Sequence, residues 1–274
     1  MSSIPILTYH SLHARDESYS NNDHVALACD LLTLHEMGFA IVSLSEITDR
    51  LIREDAEWFR SGKRAGISFD DGCNHDFIDF VYPGSPTLKS FSTILSEFNL
   101  RHQPPQPVCA TSFVIASPVA TAVLDQTCIA GRGQWHNGWW KTAAESGLID
   151  IGNHSWDHLH PTLMYVCHSR DARNDFSQVD NPVDAAMQIQ QAEDFIRQTI
   201  GDDLATGLFA YPDGKTHPYL WLEFFPGQQS IRAAFTSGGQ QVGPETDRWL
   251  IPRFVCGEHW NSTDELVQLL QGSP

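Results

Sequence analysis

The segment Ile67-Ser68-Phe69-Asp70-Asp71-Gly72 is a short apolar run that ends in two carboxylates and a glycine. Its β-prone residues predict a strand, and Gly72 supplies the permissive backbone at which the strand stops. Two adjacent carboxylates repel each other, so the pair needs a compensating cation or a raised pKa on one member. A plain strand followed by an Asp-Gly turn shows the same pattern, so this stretch alone does not define a site.

A second apolar run, residues 149–152, also ends in polar side chains, and two of them, His154 and His158, are four residues apart. Histidines at this spacing can converge on one side of a helical turn, as paired metal ligands do. Two imidazoles and one carboxylate form a facial triad that leaves metal positions open for water and substrate. With 13 histidines in the chain a chance pair is common. The pair together with the Asp-Asp stretch predicts a metal site.

The bulk composition limits the classes of function. A hydrophobic content of 41% is ample for a globular core, and 274 residues suffice for one barrel-type domain or two smaller ones. The formal net charge of −17 argues against binding nucleic acid or an anionic membrane, since both favour basic patches. Residues 1–20 show no secretory signal, and no apolar run reaches the roughly 20 residues of a membrane helix. We therefore expect a cytoplasmic protein whose six scattered cysteines are reduced thiols.

Strand and helix patterns alternate along the chain, which predicts an α/β fold with a parallel sheet or barrel. The predicted strands are residues 4–9, 41–44, 65–69, 108–115, 149–152, 208–211, 233–236 and 251–255. The predicted helices are residues 27–37, 46–52 with Ser45 as N-cap, 86–100, 139–146, 183–200 and 263–270. We expect one domain over residues 1–274. Residues 161–182 are longer than a usual connection and form either an insertion over the mouth of the site or a plain surface excursion.

Polar residues follow several predicted strands. In a β/α barrel, functional groups gather at the carboxyl ends of the strands. The residues placed there by the sequence are His10, Asp70, Asp71, His154, residues 212–214 and Arg253. These residues are therefore candidates for one common site.

Several motifs resemble those of the polysaccharide deacetylases, carbohydrate esterase family 4. Residues 68–72 and 154–158 resemble the first two motifs of the family, and Phe209-Ala210-Tyr211-Pro212-Asp213-Gly214 resembles the third. Pro5-Ile6-Leu7-Thr8-Tyr9-His10 is similar to its opening strand, Ala110-Thr111-Ser112-Phe113-Val114 to its third-strand signature, and Leu250-Ile251-Pro252-Arg253 to a late strand of one branch. The shared order and spacing extend over most of the chain. The resemblance implies a distorted (β/α)7-type barrel.

The resemblance also implies a set of roles. Asp71, His154 and His158 would hold a divalent metal that polarises a carbonyl and activates water, and Asp70 would accept the proton of that water. A backbone N–H at Asp213 could help to stabilise the carbonyl oxygen. Zinc is the expected metal for two imidazoles and one carboxylate, with nickel, cobalt, iron and manganese as alternatives. Spacing alone does not separate the roles of the two aspartates.

Two parts of the family pattern differ in this chain. The usual Leu-x-His motif near the C-terminus is absent; His10 in the opening strand is our candidate for the general acid, and His259 is its competitor. Where relatives carry an arginine that orients the catalytic aspartate, this chain has Ala210. Arg253 is our candidate to supply that charge from another strand, and the alternative is a surface salt bridge.

Aromatic residues cluster around the histidine stretch, at Trp135, Trp139, Trp140 and Trp156. Sugar faces stack on indoles, although aromatic residues more often belong to the core. Trp156, between the two proposed ligands, is the best placed to bind substrate. Tyr211, Pro212 and Asp213 of the third motif complete the predicted substrate contacts, and Asp213 replaces a commoner aromatic.

The sequence therefore predicts a metal-dependent hydrolase that removes acetyl groups from an N-acetylated or O-acetylated carbohydrate, or from a small N-acyl substrate. One alternative is a related C–N hydrolase that acts on a cyclic amide. The other is a saccharide-binding module that keeps the fold without turnover.

Overall fold

The computed structural model of the chain describes residues 3–81 and 87–272. Its strands are β1 (Ile6–Tyr9), β2 (Ala40–Ile41), β3 (Arg64–Phe69), β4 (Phe80–Val81), β5 (Thr87–Leu88), β6 (Ala110–Val114), β7 (Ile149–Asn153), β8 (Leu208–Ala210), β9 (Ala233–Phe235) and β10 (Phe254–Val255). Its helices are α1 (Asp23–Glu36), α2 (Leu44–Ile52), α3 (Ala56–Arg60), α4 (Phe91–His102), α5 (Pro118–Cys128), α6 (Trp140–Ser146), α7 (Pro182–Ala185), α8 (Gln191–Ile200) and α9 (Thr263–Leu270). One π-turn, Ala186–Gln190, joins α7 to α8, and a second spans Leu220–Phe224.

Seven strands form a parallel sheet in the order β10-β1-β3-β6-β7-β8-β9, and β2 pairs with the start of β3. The two edges of the sheet approach each other through residues 251–255. Ile251 bridges Phe235 at the end of β9, and β10 pairs with β1. The sheet is thus curled with helices around it, which confirms the predicted distorted (β/α)7-type barrel.

Alternate residues of the strands pack on opposite sides of the sheet, as the pleat requires. The barrel interior is apolar at its lower levels, where Ile6, Phe113, Phe235 and Ile251 belong to one buried cluster. The outer faces of the strands pack under the helices; this layer includes Leu7, Tyr9, Ile67, Phe69 and Ile149. The strands are buried on both faces, which explains why they read as continuous apolar runs.

The eight predicted strands are all present, and most of their ends lie within two residues of the prediction. The predicted helix 86–100 is wrong in its first turn, because Thr87–Leu88 pairs with Phe80–Val81 and α4 begins at Phe91 after the N-cap Ser90. Pro86 lies outside the described residues. The helices α3 and α5 are not among the predicted elements, although Ser117 followed by a proline is a typical start of a helix.

The N-cap predicted for α2 was wrong. Ser43, not Ser45, accepts a hydrogen bond from the backbone N–H of Glu46, at 3.1 Å. The reason is that β2 ends at Ile41, so the helix begins two residues earlier than the apolar pattern indicated.

Residues 161–181, which are the predicted insertion except for Pro182, lie between β7 and α7. Within it the structure has no α-helix or strand, only a 3-10 turn at Phe176–Gln178. Ala172, Phe176 and Val179 anchor it to the buried cluster that contains Phe209 and Phe225. The insertion therefore packs on the barrel through apolar contacts of its own.

Among residues 3–81 and 87–272, no helix has both the length and the apolar composition that a membrane crossing requires. The six cysteines are unpaired.

Candidate active site

The Asp-Asp-Gly stretch lies at the carboxyl end of β3. The pleat directs Ser68 and Asp70 into the barrel, and the chain then turns through Asp71 (φ 75°) and Gly72 (φ 71°). A Cβ atom on Gly72 would lie 2.5 Å from Cγ1 of Val114 in β6. Only glycine fits in this turn, because a side chain would meet both the left-handed backbone and the neighbouring strand.

The two histidines follow β7, one strand beyond β6. The backbone N–H of His154 donates to the carbonyl of Val114, at 2.9 Å, so His154 still continues the strand pairing. The predicted helical turn is wrong: Ser155 (φ 71°) and His158 (φ 62°) have left-handed backbones, so residues 154–158 form a loop. Such conformations in non-glycine residues cost roughly 1–3 kcal/mol each and persist only where the surroundings enforce them.

This loop brings both imidazoles to Asp71. One potential ligand atom from each of Asp71, His154 and His158 lies within 4.8 Å of the other two, and no other such group of three occurs among the described residues. The Nε2 atoms of His154 and His158 are each 3.8 Å from Oδ1 of Asp71. Two metal–ligand bonds of 2.1 Å at a tetrahedral angle place their atoms about 3.4 Å apart, so a small contraction would fit a metal ion.

The protonation of His154 also suits a metal ligand. Its Nδ1 lies 2.9 Å from the carbonyl oxygen of Ala210, which can only accept, so Nδ1 carries the proton and Nε2 keeps a lone pair. Burial lowers the pKa of His154 to about 4, although the nearby Asp70 opposes the shift. The imidazole is therefore neutral near pH 7, as metal binding requires.

Asp70 is held by Arg253 inside the barrel. Two guanidinium nitrogens, Nη1 and Nη2, donate to the Asp70 carboxylate at 2.6 and 2.9 Å, and both side chains are buried. Burial alone would raise the pKa of Asp70, but the charge of Arg253 and its hydrogen bonds to the carboxylate hold that pKa well below its usual value. Asp70 Oδ2 lies 3.9 Å from His154 Nε2. The structure thus places an ionised carboxylate beside the Asp71–His154–His158 group.

The two candidates for the general acid occupy different positions. His10 directly follows β1, its backbone N–H donates to Asp23 at 2.7 Å, and its imidazole is among the groups that lower the pKa of Asp70. His259 accepts the backbone N–H of Val255 through Nδ1, at 2.8 Å, and its ring packs edge-on to Phe254. The position next to Asp70 therefore favours His10.

The residues predicted to bind substrate are not all accessible. Tyr211 is fully buried and its hydroxyl donates to the carbonyl of Trp249, because the pleat turns it outward under the helices. Pro212 is buried beside it. Trp156 packs edge-on to Phe195 of α8, at 5.8 Å. Asp213 is exposed, and its Oδ2 is 3.2 Å from Nζ of Lys215. Tyr211 and Pro212 are therefore closed to a ligand, whereas Trp156 is half-buried and Asp213 is exposed.

The three other tryptophans of the proposed saccharide platform, Trp135, Trp139 and Trp140, are buried in apolar clusters. Trp135 nevertheless contributes to the site, because its Nε1 donates to the backbone carbonyl of Asp71 at 3.3 Å. Trp135 therefore supports the backbone of Asp71, and its burial leaves no ring face open to a sugar.

One residue near the site was missed by the sequence reasoning. The ring of His160 lies 5.9 Å from that of His158 and is half-buried. Its Nδ1 accepts the backbone N–H of Thr162 at 3.3 Å, and burial lowers its pKa. The His158-Leu159-His160 spacing was a sequence signal for it.

The fold and these side chains define a class of protein: a parallel β/α barrel with two imidazoles and a carboxylate grouped at the carboxyl ends of its strands. Residues 60–223 match the family described as polysaccharide deacetylase, and the chain belongs to that family. This confirms the resemblance found in the sequence motifs. Among curated proteins the chain has no significant match.

Solved structures share the fold over nearly the whole chain. The deacetylase PplD of Streptococcus pyogenes, solved in complex with acetate, has 16% identity and a TM-score of 0.66, with 98% of each chain covered. IcaB from Ammonifex degensii has 19% identity and a TM-score of 0.62, covering 99% of this chain and 98% of its own. A de-N-acetylase from Aggregatibacter actinomycetemcomitans has 14% identity and a TM-score of 0.59, and the match covers 96% of this chain and 98% of the de-N-acetylase. At these identities the likeness shows the fold alone.

Proposed function

We propose that this protein is a metal-dependent hydrolase that removes acetyl groups from an N-acetylated or O-acetylated carbohydrate, or from a related small N-acyl substrate. The observation that carries the proposal is the convergence of Asp71, His154 and His158 next to the ionised Asp70. Membership of the polysaccharide deacetylase family supports it. The names of the structural relatives, which include deacetylases and a de-N-acetylase, agree with it.

The ligand set points to the kind of metal. Two imidazole nitrogens and one carboxylate oxygen suit zinc best, with nickel, cobalt, iron and manganese as alternatives. A divalent cation held by Asp71, His154 and His158 supplies a Lewis acid that polarises the acetyl carbonyl and makes water more acidic.

The remaining roles belong to side chains of the chain itself. Asp70 accepts a proton from the attacking water, and Arg253 keeps the Asp70 carboxylate ionised and fixed in direction. His10 gives a proton to the departing nitrogen or oxygen. The backbone N–H of Asp213, at the rim of the site, is a candidate donor to the carbonyl oxygen. We do not assign substrate contacts to Tyr211, Pro212 or Trp156.

The test compares metal content with acetate release. We expect the zinc-loaded protein to release acetate from oligomers of N-acetylglucosamine. Asp70→Asn should keep the metal, because Asp70 is not one of the proposed metal ligands. Its rate of acetate release should fall roughly 10²–10⁴-fold, because the variant lacks the general base. His154→Ala should lose metal and activity together. Asp194→Asn, on the outer helix α8, serves as a control that retains both.

Four results would contradict the proposal. Wild-type protein that binds no divalent metal would remove its basis, and undiminished activity in either variant would reject the assigned roles. Tight binding of the oligomer without acetate release would favour the saccharide-binding alternative. Hydrolysis of a cyclic amide without release of acetate from sugars would favour the other C–N hydrolase.

A further inference from the structure

The loop that carries both histidine ligands contacts the π-turn between α7 and α8. In this turn the backbone N–H of Gln191 bonds to the carbonyl of Ala186, five residues back, so the helix is locally widened. Its carbonyl groups accept hydrogen bonds from outside the helix. The backbone N–H of Trp156 donates to the carbonyl of Gln188 at 2.7 Å, and the Asn153 side chain donates to the carbonyl of Ile189 at 3.0 Å.

The side chain of Gln188 makes the second connection. Gln188 is fully buried, and its Nε2 donates both to Oδ1 of Asp157, at 2.8 Å, and to the carbonyl of Cys167, at 2.7 Å. Asp157 is the residue between the two proposed ligands, and its other oxygen accepts the backbone N–H of Cys167 at 2.5 Å. One amide thus ties together the ligand loop, the start of the insertion and the helix.

These contacts act on a strained segment. The residues on both sides of Asp157 include Ser155, His158 and Leu159, all with left-handed backbones. Asp157 also accepts the N–H of Leu159, at 3.0 Å, which fixes the backbone immediately after His158. Without the Gln188 amide, the Asp157 carboxylate loses a hydrogen-bond donor, and the strained backbone of residues 155–159 can relax. His158 would then move relative to Asp71.

We infer that Gln188 is a positioning residue for the metal ligands, acting through Asp157 on the backbone of His158. The inference rests on the proposed function, since it supposes a metal at Asp71, His154 and His158. It adds a residue that belongs to none of the motifs and touches neither metal nor substrate. Its location in a π-turn agrees with the frequent use of such turns at functional sites.

The experiment measures metal binding rather than turnover. Zinc affinity is determined by competition with a chelator, and the visible absorption of the cobalt-substituted protein reports the ligand geometry. Gln188→Met keeps the length of the side chain but removes the hydrogen bonds of its amide. We expect the zinc Kd to rise by about tenfold or more, as for other groups that orient ligands, and the cobalt spectrum to change.

Gln190→Met is the matched control. Gln190 lies in the same π-turn, but its Nε2 donates to Asp194 of α8 and not to Asp157. This variant should keep the zinc Kd and the cobalt spectrum of the wild type. Gln188→Asn, whose amide is one methylene too short to reach Asp157, is the second test variant and should behave like Gln188→Met.

The outcomes distinguish failure of the proposed function from failure of the positioning role of Gln188. If the wild-type protein binds no zinc, the proposed function fails, whatever Gln188 does. If the wild type binds zinc and the Gln188 variants only lower the Tm, with unchanged Kd and cobalt spectrum, Gln188 is merely structural and the inference is overturned. Failure of both Gln188 variants to fold while Gln190→Met folds overturns it as well, because Gln188 would then serve the whole fold.

Discussion

At the scale of single residues, the decisive contact is the pair formed by Asp70 and Arg253. The two residues are 183 positions apart in the chain, and the pair is buried in the barrel. Arg253 also donates to the hydroxyl of Ser68 at 3.2 Å and lies over the ring of Phe113. A buried charge without its partner costs far more than an exposed one, so this pair ties the chemistry of the site to the stability of the fold.

The first prediction concerns that pair. In metal-free protein, Arg253→Met should lower the free energy of unfolding by about 3–5 kcal/mol, because it leaves the Asp70 carboxylate buried and uncompensated. The measurement is urea unfolding in the presence of a chelator. The double variant with Asp70→Asn should regain part of the loss, since the unpaired charge is then gone.

The matched control is Lys89→Met. Both side chains of the Lys89–Glu97 pair are exposed, so the loss of this pair should change the free energy of unfolding by no more than about 1 kcal/mol. Equal effects of Arg253→Met and Lys89→Met would contradict the view that burial makes the Asp70–Arg253 pair important.

At the scale of elements, helix starts and inter-element contacts determine where the strands present their side chains. Leu44 and Ile47 of α2 pack against Gly66 of β3, and they belong to the buried cluster of the barrel interior. The helix α1 is tied to β1 and to the C-terminal segment through the buried Asp30, which accepts hydrogen bonds from Tyr9, Tyr19 and Trp260. Each of these elements can be tested by a single substitution.

The N-cap of α2 gives the second prediction. Ser43→Ala should lower the free energy of unfolding by about 1 kcal/mol, because the backbone N–H of Glu46 loses its partner. Ser45→Ala, inside the first turn, should change it by less than about 0.5 kcal/mol. Both values come from urea unfolding. A larger loss of unfolding free energy in Ser45→Ala than in Ser43→Ala would identify Ser45 as the N-cap.

The third prediction concerns pH and Asp30. Burial raises the pKa of Asp30 from 3.8 to about 6, even though the hydrogen bonds from Tyr19, Tyr9 and Trp260 lower it. The unfolded chain therefore releases this proton at lower pH than the folded one, so the Asp30 contribution to stability falls as pH rises from about 4 to 6. A shift of this size corresponds to about 3 kcal/mol.

The measurement compares the wild type with Asp30→Asn by urea unfolding at pH 4 and pH 7. The variant lacks the titrating group, so the difference in unfolding free energy should move in its favour by about 2–3 kcal/mol from pH 4 to pH 7. A difference that stays constant over this range would show that Asp30 does not titrate in the folded protein with a raised pKa.

At the scale of the whole molecule, the barrel depends on both ends of the chain. β1 lies between β10 and β3, and residues 251–255 connect β9 to β10 across the opening of the sheet. Arg253 belongs to this closing segment, so the same residues that complete the barrel also supply the partner of Asp70. We therefore propose that residues 1–274 form a single cooperative domain.

The fourth prediction follows from that dependence. The segment that matches the family, residues 60–223, lacks β1, β9 and β10, so the isolated fragment should show no cooperative thermal transition. The full chain should unfold in one transition with equal calorimetric and van't Hoff enthalpies. A chain shortened to residues 1–271 is the control and should behave like the full one. Cooperative unfolding of the fragment would contradict the prediction, because residues 60–223 would then form a domain by themselves.

Much of the fold and of the site could be predicted from the sequence. The apolar runs, the two-residue alternation and the polar residues at strand ends are local properties, so they indicated the barrel and the candidates Asp70, Asp71, His154 and His158. Arg253 was also a candidate, but only as one of two alternatives. Helix starts such as that of α2 were less certain, because an apolar pattern does not show where the preceding strand stops.

The residue types at the carboxyl ends of the strands, and their order, follow from the sequence, because they depend on neighbours along the chain. Which atoms meet depends on the tertiary structure. It directed Tyr211 outward and Asp70 inward, replaced the expected helical turn at His154 and His158 by a strained loop, and brought Gln188 to Asp157. Strand register, barrel closure and the π-turn set these contacts, and each depends on packing between segments far apart in the chain.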